Sequence, residues 1–272
     1  MKRLLLCLLP LCLMACQREA PAPQSDAGAV VAQEPGATAA PAVAPELKDV
    51  FESDPRFIVG ITYSPEANKY PGLALELHQY VEQVRADLMT ALEGAPDGEM
   101  SAPYDLSLVF TTLVDNPQII AIGAEGSSYT GGAPGAPLLE RFVWLPTTQQ
   151  RLRAKDLIPE AKGWRDVSAY VREQLHAALS QRIDAAALEP AERAEVMRWA
   201  GRMIDPGSDA DAANFEQFEP VPGSDGKLVA LRFVFPPYQV GPYSDGVQSV
   251  EVPASVLLPH VAPAYKSLFV GG

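Results

Sequence analysis

Three histidines, His78, His176 and His260, and 34 acidic residues are the side chains from which proton transfer or metal binding would have to be built. Their spacing supports no metal site. The histidines stand far apart, and none belongs to the H-E-x-x-H pattern that sets two ligands on one helix face. No G-x-S-x-G occurs, so a nucleophile elbow is missing. Neither G-x-x-x-x-G-K-S/T nor G-x-G-x-x-G is present to cradle a phosphate. A general acid/base pair of carboxylates must face across a cleft, which distance along the chain does not reveal, so carboxylate chemistry stays open. All three cysteines, Cys7, Cys12 and Cys16, lie in the first sixteen residues, so the rest of the chain has no thiol, disulfide or Cys-based metal site.

Two segments stand out instead as candidate binding elements. In "FPPYQVGPYSDG" (Phe235 to Gly246), an apolar alternating run ends at Pro236-Pro237, neither of which can donate to a strand ladder. Gly241-Pro242 redirects the chain and Asp245-Gly246 turns it into the next strand. The connection is much longer than the about two to five residues of most hairpins. Tyr238 and Tyr243 are expected either as a stiffly held contact surface with Asp245, or as a plug over the sheet end. In "SSYTGGAPGAP" (Ser127 to Pro137), Gly131 and Gly132 free the backbone for positive φ, while Tyr129 offers a flat amphipathic face. The plain alternative is a hairpin end whose glycines serve only the turn.

The N-terminus reads "MKRLLLCLLPLCLMACQ": a basic start at Lys2 and Arg3, an apolar stretch from Leu4 to Met14, and a small residue before Cys16. That is the layout of an export signal, and it is shorter than the roughly 20 apolar residues of a membrane span. "LMAC" resembles the lipobox of bacterial lipoproteins, which implies lipidation of Cys16 (palmitate or a similar acyl chain) and cleavage before it. Residues 1–16 are thus expected as a lipoprotein signal peptide. Gln17 rather than Asp after the cysteine points to the outer membrane, with the domain facing the periplasm, and multiple acyl chains would hold it there. Residues 17–45, rich in Ala and Pro and without aromatics or period, read as a disordered tether.

Removing Lys2, Arg3 and Arg18 from the cations, and Glu19, Asp26 and Glu34 from the anions, leaves residues 46–272 with the −13 net charge of the whole chain. This balance argues against nucleic acid and anionic lipid as partners and is compatible with a basic protein partner or simply with solubility. No cofactor is implied.

The elements that would carry the candidate segments follow from period. "RFIVGITYS" alternates, with Phe57, Val59, Ile61 and Tyr63 on one face. Leu73, Leu77, Val81, Val84, Leu88 and Leu92 then form a helical stripe that Gly94 ends. Tyr104, Leu106, Leu108 and Phe110 define another strand, followed by strands starting at Ile119 and running through Phe142 and Trp144, with no helix between them. Trp164, Val167, Val171, Leu175, Ala178 and Ile183 predict a second helix. A third starts at Glu189-Pro190, carries Val196, Trp199, Ala200 and Met203, and stops at Asp205-Pro206-Gly207. His78 and His176 fall on these helices as boundary or solvent-facing residues. Val229, Leu231, Phe233 and Phe235 form a further strand face after the Asp225-Gly226 turn. The expected class is α+β, a largely antiparallel sheet covered by amphipathic helices, in two closely associated modules, 46–160 and 161–272.

"FVFPPYQVGPYSDGVQSVEVP" is similar to the closing motif of the bacterial domain of unknown function 3298, and "SSYTGGAPG" to the Gly-Gly turn of the domain 4163 that usually precedes it. The paired domains form the extracellular part of RsiV-like anti-sigma factors, which bind lysozyme, and a non-catalytic region of some peptidoglycan deacetylases. Where family members often have a histidine after Gly-Gly-Ala, this chain has Pro134 and Gly135. No segment to hold a sigma factor and no deacetylase domain are expected. The resemblance implies a lipid-anchored envelope protein with a non-enzymatic binding domain for a lysozyme-type muramidase or peptidoglycan, with Tyr129, Gly131, Gly132, Tyr238, Tyr243 and Asp245 as contacts. The alternatives are a cell-wall hydrolase or deacetylase using carboxylates not yet placed, and a structural envelope lipoprotein.

Overall fold

A computed structural model of the protein describes residues 45–95, 102–131, 135–186 and 188–272. Cys16 and Gly132, both singled out above, lie outside the described residues. The first sheet is built from β1 (Val50–Asp54), β2 (Phe57–Thr62), β3 (Tyr104–Asp115), β4 (Ile120–Tyr129), β5 (Ala136–Leu145) and β6 (Gln150–Arg151), in that spatial order, with helix α1 (Pro71–Glu93) between β2 and β3. Short helix α2 (Ala154–Leu157), long helices α3 (Ala161–Ala185) and α4 (Pro190–Gly207), then β7 (Phe218–Pro222), β8 (Leu228–Phe235), β9 (Gln248–Pro253) and α5 (Ala254–Leu257) complete the chain. Strands β7, β8 and β9 form a separate antiparallel sheet. The expected module boundary at 160/161 falls between α2 and α3.

The α+β class and the mostly antiparallel pairing hold, with one exception. Strand β2 pairs in parallel with β3 because α1 intervenes as a crossover, with Val59 opposite Leu106 and Ile61 opposite Leu108. Strand β1, whose "VFESD" alternates too weakly to stand out, pairs antiparallel with β2 across the tight turn at Pro55-Arg56.

All six apolar positions of the α1 stripe are buried, against Val59, Ile61, Leu106, Leu108, Phe110, Ile122 and Phe142 of the sheet. Each such leucine contributes about 2 kcal/mol by leaving water. A second core joins α3 to the small sheet: Trp164, Val167, Val171, Leu175, Leu179 and Ile183 meet Leu231, Phe233, Val250 and Val252. Leu179, not the expected Ala178, takes the buried position, because one more residue of helical rotation keeps the larger side chain on the stripe.

Strands β4 and β5 serve both cores. Ile120, Ile122, Phe142 and Trp144 face the first, while Ala121 and Val143 face the second. Two covered faces explain why "IIAIGA" and "FVWL" are continuously apolar rather than alternating.

Charges gather where the two sheets approach. Arg141, only 4% exposed, donates from Nε to Glu219 at 2.8 Å and from Nη2 to Glu125 at 2.5 Å. Glu219 also accepts from Arg232 at 3.1 Å, and Gln217 links the two sheets by receiving the Arg141 backbone N–H at 2.7 Å and donating to Glu140 at 2.8 Å.

Candidate functional site

The connection from β8 to β9 begins with Pro236-Pro237 and is held by its own backbone and by α4. The Tyr238 N–H donates to Gly241 O at 2.9 Å and the Gln239 N–H to Pro236 O at 3.1 Å. The Gln239 side chain then donates to two backbone carbonyls, Gly207 O at 2.8 Å and Asn214 O at 3.0 Å. Val240, 3% exposed, plugs into the second core. At the far end Asp245 N–H donates to Pro242 O at 3.0 Å, and Gln248 Nε2 to Asp245 O at 2.7 Å.

The anchoring residues are Gln239 and Val240, and the tyrosines are displayed. Tyr238 is 59% and Tyr243 41% exposed, their rings 5.7 Å apart and inclined by 37°. The plug expected as one alternative is therefore made by Val240 and not by either ring. Tyr238 sits at φ 74°, a left-handed backbone that bulky residues rarely adopt, and the hydrogen bonds around it hold it there.

Behind the loop, its Pro242 and Asp245 form one wall of a groove of about 300 Å³. Buried Leu179, Ile183 and Ala200 and the part-exposed Trp199 of α4 also line it. Arg182 on α3 reaches over to Asp245, with Nη1 3.0 Å from Oδ2. Helix α4 runs through Pro206 to Gly207 instead of stopping at Asp205. Its buried line is Ala200 and Ile204, so Trp199 is 43% exposed and off the core stripe on which the sequence pattern placed it.

The Gly-Gly segment belongs elsewhere. Ser127, Ser128 and Tyr129 extend β4, and Gly131, at φ 91°, begins the turn to β5. Tyr129 meets Tyr104 edge-on at 6.4 Å. Among the described residues, no hydrogen bond or ring contact joins Tyr129 or Gly131 to Tyr238, Tyr243 or Asp245. The candidates thus form two separate sets.

Groups suited to catalysis are likewise scattered or engaged. His176 pairs with Asp205 at 3.2 Å and His260 with Asp166 at 3.0 Å, on different parts of α3. Asp209 and Asp211 line a shallow cleft of about 530 Å³ beside Trp164. Both carboxylates are engaged locally: Asp209 accepts from the Asn214 side chain at 2.6 Å and from the Asp211 N–H at 3.3 Å, and Asp211 accepts from the Ala213 N–H at 3.0 Å, at the start of a 3-10 turn, Ala212–Phe215. Among the described residues no group of three or more His, Cys, Asp or Glu is arranged to hold a metal ion. Burial pushes Tyr63 and Tyr80 up to about 12, but both are packing residues of the first core.

The fold and the loop define an α+β domain that carries a pinned, aromatic-bearing connection on its surface. Residues 155–255, from α2 to the start of α5 and including that loop, match the family model described as protein of unknown function (DUF3298). The fold is similar to the crystal structure of a DUF3298 family member from Bacteroides fragilis: TM-score 0.50, 16% identity, covering 80% of this chain and 93% of that one. A DUF3298 family protein from Pseudomonas aeruginosa aligns at 14% identity over 83% of this chain and 94% of its own, with a TM-score of 0.47. No curated protein shows significant similarity to the chain.

Arg182, Gln239 and Trp199 are the parts of this surface that sequence reasoning missed. For Trp199 a signal exists: it lies between the i, i+4, i+8 line of Val196, Ala200 and Ile204, at the edge of the stripe. For Arg182 and Gln239 there is none, since their partners lie 63 and 32 residues away.

Proposed function

We propose that the protein is a non-enzymatic binding module of the bacterial cell envelope, with the loop Pro236–Gly246 as its contact surface. The observation that carries this reading is the display of Tyr238 and Tyr243 on a backbone that Gln239 and Val240 pin from behind. A tyrosine presents an apolar face and a polar hydroxyl to a partner, and holding it rigidly lowers the entropy lost on binding. In this proposal lipid on Cys16 anchors the chain in the outer membrane, and residues 17–45 let the domain reach its ligand in the periplasm. A basic muramidase of the lysozyme type is the first partner, because the net charge of −13 steers a cationic protein toward the surface. The resemblance of the loop and of the Gly-Gly turn to lysozyme-binding ectodomains supports the same partner.

The test is a binding titration of the purified protein against a c-type lysozyme at low salt and at about 0.15 M, where charges beyond about 8 Å are screened. Affinity that survives the higher salt and falls about tenfold or more in Tyr238→Ala or Tyr243→Ala, the scale of an aromatic hot spot, is expected. Binding that vanishes with salt, or that ignores both substitutions, sinks the reading.

A further inference from the structure

We infer that the groove between α3, α4 and the loop is a saccharide subsite that takes one ring of a neutral glycan. The inference rests on the reading of the loop as a binding surface and adds the ligand class. A sugar ring has an apolar C–H face and a belt of hydroxyls, so its site needs a flat aromatic wall beside groups that both donate and accept hydrogen bonds. The groove supplies both. Trp199, 43% exposed, lines it together with the Arg182–Asp245 pair. Arg182 has five N–H donors, and its Nη1 lies 3.0 Å from Asp245 Oδ2. The Asp245 carboxylate is an acceptor-only group with two oxygens.

Charge and size narrow the ligand. The ion pair is neutral as a unit, while the chain as a whole carries −13, which repels polyanions and leaves an uncharged glycan unaffected. A volume of about 300 Å³ is at the small end of the about 300–1,000 Å³ of small-molecule sites, suited to one ring with its neighbours lying on the surface.

The chain carries its own reporter. Of its three tryptophans, Trp144 and Trp164 are each 4% exposed, and Trp199 alone meets solvent. The protein is titrated with the N-acetylglucosamine tetramer, read by intrinsic fluorescence and by calorimetry. A saturable fluorescence change is expected that disappears in Trp199→Phe, while calorimetry shows Trp199→Phe within about threefold of the parent, Trp199→Ala weakened about tenfold, and Arg182→Gln weakened similarly. No saturation at millimolar tetramer, a fluorescence change that persists in Trp199→Phe, or unchanged calorimetric affinity in Trp199→Ala would each overturn the inference. Lysozyme is titrated in parallel with the same preparations. Lysozyme binding without tetramer binding removes the saccharide subsite and leaves the binding module standing, whereas loss of both removes the reading on which it rests.

Discussion

The stiffness of the loop depends on one close approach, and Gly207→Ala tests it. A Cβ added there would lie 1.9 Å from the backbone oxygen of Gln239 and 2.7 Å from its carbonyl carbon, with the Val240 side chain at 3.1 Å. The loop backbone cannot retreat freely, because Gln239 donates to Gly207 O and Asn214 O and Val240 is seated in the core. If the loop stays, overpacking costs about 1–3 kcal/mol. If it lifts, two hydrogen bonds at about 1 kcal/mol each are lost, together with part of the burial of Val240. Either route costs about 1–3 kcal/mol, which for a domain of this size lowers Tm by roughly 2–12 °C. The Gln239→Ala variant removes only the two hydrogen bonds and is expected to lose about 1–2 kcal/mol. Thermal unfolding followed by circular dichroism measures both, and the lysozyme titration on the same samples reads the effect on binding. A Tm within about 1 °C of the parent for Gly207→Ala would refute the close approach. A lowered Tm with unaltered lysozyme affinity would refute the argument that the pinned backbone preorganises the tyrosines.

Other perturbations report on the scaffold. Replacing Arg141 by Met leaves Glu219 with Arg232 as its remaining cation and is expected to cost about 3 kcal/mol in urea unfolding; the double variant with Glu219→Leu should recover most of it, and a single-variant loss under about 0.5 kcal/mol would contradict the network. In Gly72→Ala the new Cβ would fall 2.4 Å from the buried Trp144 ring, so a loss of about 1–3 kcal/mol is expected even though alanine is the better helix former. The phenols of Tyr63 and Tyr80, at about 12 in the folded protein against about 10 unfolded, are raised first of all by burial. Their stabilising contribution is complete below pH 10 and is lost as pH rises through 12, so the Tyr63→Phe/Tyr80→Phe double variant should lose less stability than the parent between pH 10 and 12.

Much of the architecture was legible from local pattern. The stripes of α1 and α3 and the alternation of β2 and β8 are enforced by the 3.6- and 2-residue periods, which need no knowledge of partners. The loop was legible as a rigid corner, because Pro236-Pro237 and Gly241-Pro242 act on their own backbone. Which of its residues would be buried was not legible. Nothing local distinguishes Val240, which becomes the plug, from Tyr238, which is turned outward by a left-handed backbone.

The acidic balance, the confinement of cysteine to residues 1–16 and the secondary-structure periods were set by the sequence alone, since each depends on composition or on neighbours along the chain. Only the tertiary structure decided that β4 and β5 are covered on both faces, that Trp199 is left in water, and that Arg182 meets Asp245. It also separated Tyr129 and Gly131 from the tyrosine loop. These outcomes turn on contacts between residues tens of positions apart, and such contacts exist only after helices and sheets have packed.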